Sequence, residues 1–142
     1  MPNQPSKPIC DIAQMLKESM VDEKDSIYAY EAIAEKSKKP ADRNTVLAIR
    51  RDEKRHYGLL REMYGEITGR EYHAGQVHAD LPYSYIEMIK SSICGELEAA
   101  AFYEKLACSL ACMRHKEIVC SILNDEKIHA KKLAAIYQSY GR

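Results

Sequence analysis

The chain has no net charge, since 21 lysines and arginines balance 21 aspartates and glutamates. No overall field therefore favours nucleic acid or an acidic surface, and any cluster of acids needs a local cause. Long apolar runs are missing too. Nothing spans a membrane, and the opening MPNQPSKPIC holds no apolar stretch that would serve as a signal peptide, so a cytoplasmic protein is expected. Cys10, Cys94, Cys108, Cys112 and Cys120 include no CxxC pair, which excludes a four-thiolate metal knuckle, and their odd number argues against a full disulfide framework. Reduced cysteines packed in the core are expected. Tryptophan is absent, yet 46% hydrophobic content over 142 residues suffices for a real core in one domain.

What is present is helical periodicity. Residues 1–8, rich in proline, predict a tail, and residues 9–142 predict a single helical domain. Helix 1 is expected from Asp11, with Gln14 as its capping partner, to about Lys39, where Pro40 stops it. Its stripe is Ile12, Leu16, Met20, Glu23, Ile27, Tyr30 and Ala34, so an acid interrupts an apolar line. Helix 2 runs from near Asp42 to near Gly69 and carries Val46, Ile49, Glu53, His56, Leu60 and Met63 on one face. Thr68 to Pro82 has no helical period. A helix of about 26 residues spans roughly 39 Å, and about 15 extended residues reach roughly 50 Å. The connection can thus run the length of the bundle and leave helices 2 and 3 parallel. Helix 3 begins at Ser84, with Glu87 completing a capping box, and continues to about Cys112. Helix 4 follows a tight turn at Met113 to His115 and ends near Tyr140.

The sequence repeats. Adding 73 maps Glu23 to Glu96, Tyr30 to Tyr103, Asp52 to Asp125, Glu53 to Glu126, His56 to His129 and Leu60 to Leu133 without a gap. Two helical hairpins related by an approximate twofold axis follow from that register. A single Glu-x-x-His on a helix is weak, because solvated faces are full of such pairs. Here two occur at one offset, each has a lone Glu on the other helix of its hairpin, and all four acids interrupt hydrophobic stripes. A buried, unpaired carboxylate would cost several kcal/mol. Glu23, Glu53, His56, Glu96, Glu126 and His129 form a neutral set with two divalent cations, so charge balance permits their burial. Mixed carboxylate and imidazole ligands suit iron, or manganese, better than zinc.

Tyr30 and Tyr103 lie two turns beyond Glu23 and Glu96, where a phenol can reach a carboxylate of the opposite hairpin. Asp52 and Asp125 each precede a Glu of the pair and are placed to orient the other hairpin's His. Cys108 and Cys112, taken as one helical turn apart, point away from the line through Glu96. His73, His78 and His115 lack acids at ligand spacing and are expected at the surface.

Glu-x6-Tyr followed by Glu-x-x-His, occurring twice, resembles the signature of the ferritin-like di-iron carboxylate superfamily, over helices 1 to 4. The short-chain layout and the exit Tyr64-Gly65-Glu66-Ile67-Thr68-Gly69 look most like the rubrerythrin branch. The resemblance implies an all-α, ferritin-like antiparallel four-helix bundle of two hairpins with a long crossover between helices 2 and 3. It implies two iron ions bridged by Glu53 and Glu126, with Glu23 and Glu96 terminal and His56 and His129 each capping one metal. Tyr30 and Tyr103 would then serve as proton donors.

Two departures from the branch stand out. Rubrerythrins carry a further Glu one turn after the helix 3 ligand, where this chain has Ala99, while Glu98 is expected on another face. No rubredoxin domain with two thiolate pairs is present, so electrons would come from an external protein such as a rubredoxin. The activity implied is hydrogen peroxide reduction, with ferroxidase activity serving iron storage, or a noncatalytic metal buffer or sensor, as alternatives. Peroxide or dioxygen is the expected small-molecule partner and a homodimer the expected assembly, and the storage reading is weakened because no fifth helix follows Tyr140.

Overall fold

The structure, a computed structural model, describes residues 8–75 and 80–142. Residues 1–7 of the expected tail, and His78, lie outside the described residues. Four helices account for the fold: α1 (Ile9–Lys36), α2 (Pro40–Thr68), α3 (Tyr85–Ser109) and α4 (Met113–Ser139). α1 packs against α2 and α3 against α4, and the hairpins meet where α1 touches α3 and α2 touches α4. The crossing contacts run in opposite register. Glu23 meets Tyr103 and Tyr30 meets Glu96, so α1 and α3 are antiparallel. Arg50 of α2 reaches Ile27 and Arg43 reaches Ala34, so α1 and α2 are antiparallel as well. Helices α2 and α3 are therefore parallel, as the length of the crossover allows.

The helix ends differ from the sequence expectation in ways that local chemistry explains. α1 starts at Ile9, ahead of the expected Asp11, without a side-chain bond from its N-cap Pro8, and the Gln14 side chain donates to Glu18 Oε1 at 3.3 Å. It ends at Lys36, not Lys39. A residue before proline is held out of the helical region, and Lys39 accordingly has φ −92° and ψ 125°. Pro40 then opens α2, where its missing N–H costs nothing. Arg43 ties the two helices by donating to Ser37 O at 2.9 Å and to Ala34 O at 3.1 Å, the latter a carbonyl that also accepts the Ser37 N–H at 3.2 Å. α2 closes at Gly69 with φ 69°, a left-handed cap in which its N–H bonds Gly65 O at 2.8 Å. Ser84 caps α3 as expected, accepting from the Glu87 N–H at 3.2 Å. α3 stops at Ser109 and not Cys112, and α4 begins at Met113.

Those last two boundaries overturn two expectations. Cys108 belongs to α3 whereas Cys112 is the N-cap of α4, so they are not one helical turn apart. His115 falls inside the first turn of α4, is buried, and places Nε2 2.7 Å from Glu66 Oε2 of α2, so it is not a surface residue. His73 is exposed as expected. The core cysteines are also corrected: Cys94, Cys108, Cys112 and Cys120 are all free and exposed. Cys94, for example, lies two positions before the buried Glu96, which at 100° per residue puts it roughly 200° around the helix.

Apolar packing is split into two clusters. One joins Leu16, Met20, Leu60, Met63, Leu106, Val119 and Ile122, and the other joins Ile33, Val46, Ile49, Ile89, Leu133 and Ile136. Each such fully buried side chain contributes about 1.5–3 kcal/mol. Between the clusters, on every helix, comes the acid that interrupts the stripe. The fold thus encloses a polar layer between two dry ones. Among the described residues no helix is long and apolar enough to cross a membrane.

Candidate metal centre

Glu23, Glu53, His56, Glu96, Glu126 and His129 are all buried, one or two from each helix. Two overlapping groups bring their donor atoms within 4.8 Å of one another: Glu23, Glu53, His56 and Glu126, and Glu53, Glu96, Glu126 and His129. Each group can hold a metal ion, and Glu53 and Glu126 belong to both. The arrangement follows the repeat, since the first group becomes the second when its members exchange hairpins.

The histidines are oriented from outside the layer. His56 Nε2 lies 2.8 Å from Asp125 Oδ2, and His129 Nε2 lies 2.8 Å from Asp52 Oδ2. Each Asp therefore serves the imidazole of the opposite hairpin and turns its Nδ1 toward the acids. His56 Nδ1 lies 3.0 Å from Glu126 Oε1, and His129 Nδ1 lies 3.1 Å from Glu53 Oε1. Arg55 joins this side, with Nη2 2.7 Å from Asp125 Oδ2 and 3.8 Å from Asp52 Oδ1. The tyrosines cross the other interface. Tyr103 Oη donates to Glu23 Oε1 at 2.5 Å, and Tyr30 Oη donates to Glu96 Oε1. Burial pushes both phenols well above their ordinary range, and the neighbouring carboxylates push further, so each keeps its proton.

Titration of the layer reflects crowded negative charge. Burial raises Glu53 well above the carboxylate range, with Glu23, Glu126 and Glu96 adding to it. Burial also raises Glu126, to about 8, against the lowering effect of the adjacent His56 imidazole. For His56, burial by itself would lower the pKa, but the nearby Glu126 and Glu23 carboxylates, together with the bond to Asp125, hold it at about 10. His129 is raised in the same way by Glu96 and Asp52. Asp125 is lowered, because His56 and Arg55 outweigh its burial.

Whether these residues suit a metal pair can be tested on their orphaned atoms. Glu23 Oε2, Glu53 Oε1, His56 Nδ1, Glu96 Oε2, Glu126 Oε1 and His129 Nδ1 are buried and make no hydrogen bond. Unsatisfied buried polar atoms are rare and costly. Six in one layer, all of them Lewis bases once their protons are displaced, fit divalent cations held by oxygen and nitrogen.

A cavity of about 400 Å³ opens between α1 and α3 onto this layer. Its walls include Ser26, Ala29, Gly95 and Ala99, and it reaches Tyr30, Glu96 and Glu126. Glu98 is exposed and lines this cavity, next to Ala99, and so stands on the approach to Glu96 and not on an unrelated face.

No protein-family model matches the sequence. The chain is 27% identical over 115 residues to the uncharacterized protein YhjR of Bacillus subtilis, covering 81% of this chain and 79% of that one. A hypothetical protein from Pyrococcus furiosus superposes with a TM-score of 0.79 at 24% identity, over 89% of this chain and 88% of that one. A bacterioferritin-related protein from Bacteroides fragilis, described as a dodecameric thioferritin, superposes at 0.77 and 17% identity, over 95% and 93% of the two chains. The fold is ferritin-like. A two-domain protein from Anabaena variabilis with DJ-1/ThiJ/PfpI-like and ferritin-like domains agrees, with a TM-score of 0.74 over 94% of this chain and 38% of that longer one. In this ferritin-like bundle the spacing of the acids had marked the layer from sequence, whereas Arg55 and the paired His115 and Glu66 carried no periodic signal. Glu66 lies 49 positions from His115, and only packing of α2 on α4 joins them.

Proposed function

We propose that the chain is a di-iron oxidoreductase that reduces hydrogen peroxide with electrons from an external protein such as a rubredoxin. The observation that carries the metal half of this reading is the set of six unpartnered Lewis-base atoms in one buried layer. Glu53 and Glu126 would be shared between the ions, Glu23 and Glu96 would each bind one, and His56 and His129 would each add an Nδ1. A bound iron pair supplies two electrons, the number that cleavage of an O–O bond consumes. The chain's own residues do the rest. Asp125 and Asp52 hold the imidazole tautomers, the apolar clusters exclude bulk water, and Tyr30 Oη and Tyr103 Oη hold protons beside the terminal carboxylates. Preference for peroxide rests on the rubrerythrin-like motif. Ala99 stands where rubrerythrins carry a further Glu, so the proposed ligand set is symmetric between the two hairpins.

Ferroxidase activity is the second reading, supported by a specific likeness: a chain of nearly the same extent, the Bacteroides fragilis protein, is described as a dodecameric thioferritin. A chain of this extent and fold is thus compatible with a shell. Stopped-flow oxidation of the anaerobically reduced, iron-loaded protein by each oxidant at equal concentration decides between them. Faster oxidation by peroxide, with turnover only when a reductant is supplied, is expected. Faster oxidation by dioxygen with accumulation of ferric mineral would assign ferroxidase, and inertness to both would leave a metal buffer.

A further inference from the structure

The metal layer has two flanks, and they are chemically opposite. On the α2–α4 flank, Asp52 and Asp125 are committed to the histidines and covered by the Arg55 guanidinium. A fixed positive charge there opposes an approaching cation. On the α1–α3 flank the 400 Å³ cavity carries Asp22, Asp25 and Glu98. Asp22 and Glu98 are exposed, Asp25 is half-buried, and Asp25 Oδ1 makes no hydrogen bond. Small side chains at Ser26, Ala29, Gly95 and Ala99 leave the passage wide. At its inner end stands Glu96, only 3% exposed, with an unpartnered Oε2. Asp25 and Glu98 are themselves related by the offset of 73, so the two hairpins each place one acid at this mouth, while the position equivalent to Arg55 is Ile128.

We infer that the cavity between α1 and α3 is the route by which divalent cations reach the buried layer, with Asp22, Asp25 and Glu98 drawing them in and Glu96 receiving them. The inference rests on the metal-centre reading above. Among the described residues only the two inner groups bring their donor atoms within 4.8 Å of one another. The three outer acids therefore attract a hydrated ion without chelating it, and hand it to Glu96, where it sheds water for carboxylate oxygen. Clefts lined by charge of one sign raise association rates in this way, and salt weakens the effect.

The test is the rate of cobalt(II) loading into the metal-free full-length protein, followed by the absorption of the bound ion. Asp22→Asn/Asp25→Asn/Glu98→Gln should load about tenfold more slowly at low salt, with the difference shrinking as salt rises. Gly95→Leu should load slowly at every salt concentration, because it obstructs the passage. A Cβ added at Gly95 meets nothing within 4 Å, and losing a helical glycine favours folding. Both variants should reach the final stoichiometry of the unaltered protein. Unaltered loading rates in either variant overturn the route alone, whereas failure of the unaltered protein to bind cobalt overturns the metal centre together with the route.

Discussion

Glu53 and Glu126 are the two residues common to both donor groups, so each is expected to matter more than any terminal acid. If two ions are held as proposed, replacing either by alanine removes negative charge from between them, and metal content should fall from two ions per chain to one or none. Metal analysis of protein loaded without oxygen measures this, with helix content by circular dichroism as the control; two ions per chain in either variant would refute the sharing. Removing a phenol tests something else. Tyr30→Phe leaves every proposed ligand in place, so it should retain metal while slowing turnover by about 10²-fold if the phenol acts as a general acid. The pH dependence of the layer also belongs to single residues. His56 is raised from 6.5 to about 10 and Glu126 from 4.5 to about 8. A raised pKa means the folded state holds its proton more tightly than the unfolded chain does. The associated stability is therefore complete below the ordinary value and lost as pH climbs through the raised one. Metal-free protein should weaken from about pH 5 to pH 10, each differential proton contributing roughly 1.4 kcal/mol per pH unit. Urea unfolding across that range checks the sign, and greater stability at pH 9 than at pH 6 would contradict it. Metal displaces those same protons, so loading near neutral pH should acidify a weakly buffered solution.

At the scale of helices, the ends of α2 and α3 are set by single contacts that can be weighed separately from the metal. The Ser84 hydroxyl satisfies the Glu87 N–H at the start of α3. Ser84→Ala should cost about 1 kcal/mol. Gly69, at φ 69°, closes α2 in a conformation that side chains resist, and Gly69→Ala should cost about the same. Both losses should appear in denaturant midpoints of the metal-free protein with metal stoichiometry unchanged. Loss of metal in Ser84→Ala would show that the position of α3, which carries Glu96, depends on its first turn.

Assembly is the question for the whole molecule. A homodimer is the expected state for a peroxide reductase of this layout, and light scattering of the metal-loaded protein measures it. A particle of a dozen subunits would match the description of the Bacteroides fragilis relative and favour iron storage. The exposed large apolar residues Leu97, Met113 and Ile128 lie on or beside the outer faces of α3 and α4. The chain has no net charge, so net-charge repulsion does not oppose self-association through those residues in either assembly.

From the sequence by itself came the helical class, the pairing of hairpins through the offset of 73, the parallel course of α2 and α3, and the polar layer. All of these rest on periodicity and chain length, which are local properties: a residue's spacing from its neighbours determines which face of its own helix it occupies. The exposed cysteines show the limit of composition as a guide, because burial follows the helical face and not the residue type. Tertiary structure alone decided the pairings that the repeat does not contain. His115 became buried because α4 begins at Met113 and sets it against Glu66. Arg55 closes one flank, and an acidic cavity opens the other, because α2 packs on α4 with long side chains between them while α1 and α3 face each other across Gly95, Ala29 and Ala99. Such pairings join residues tens of positions apart, and they depend on how side chains fill the space between helices.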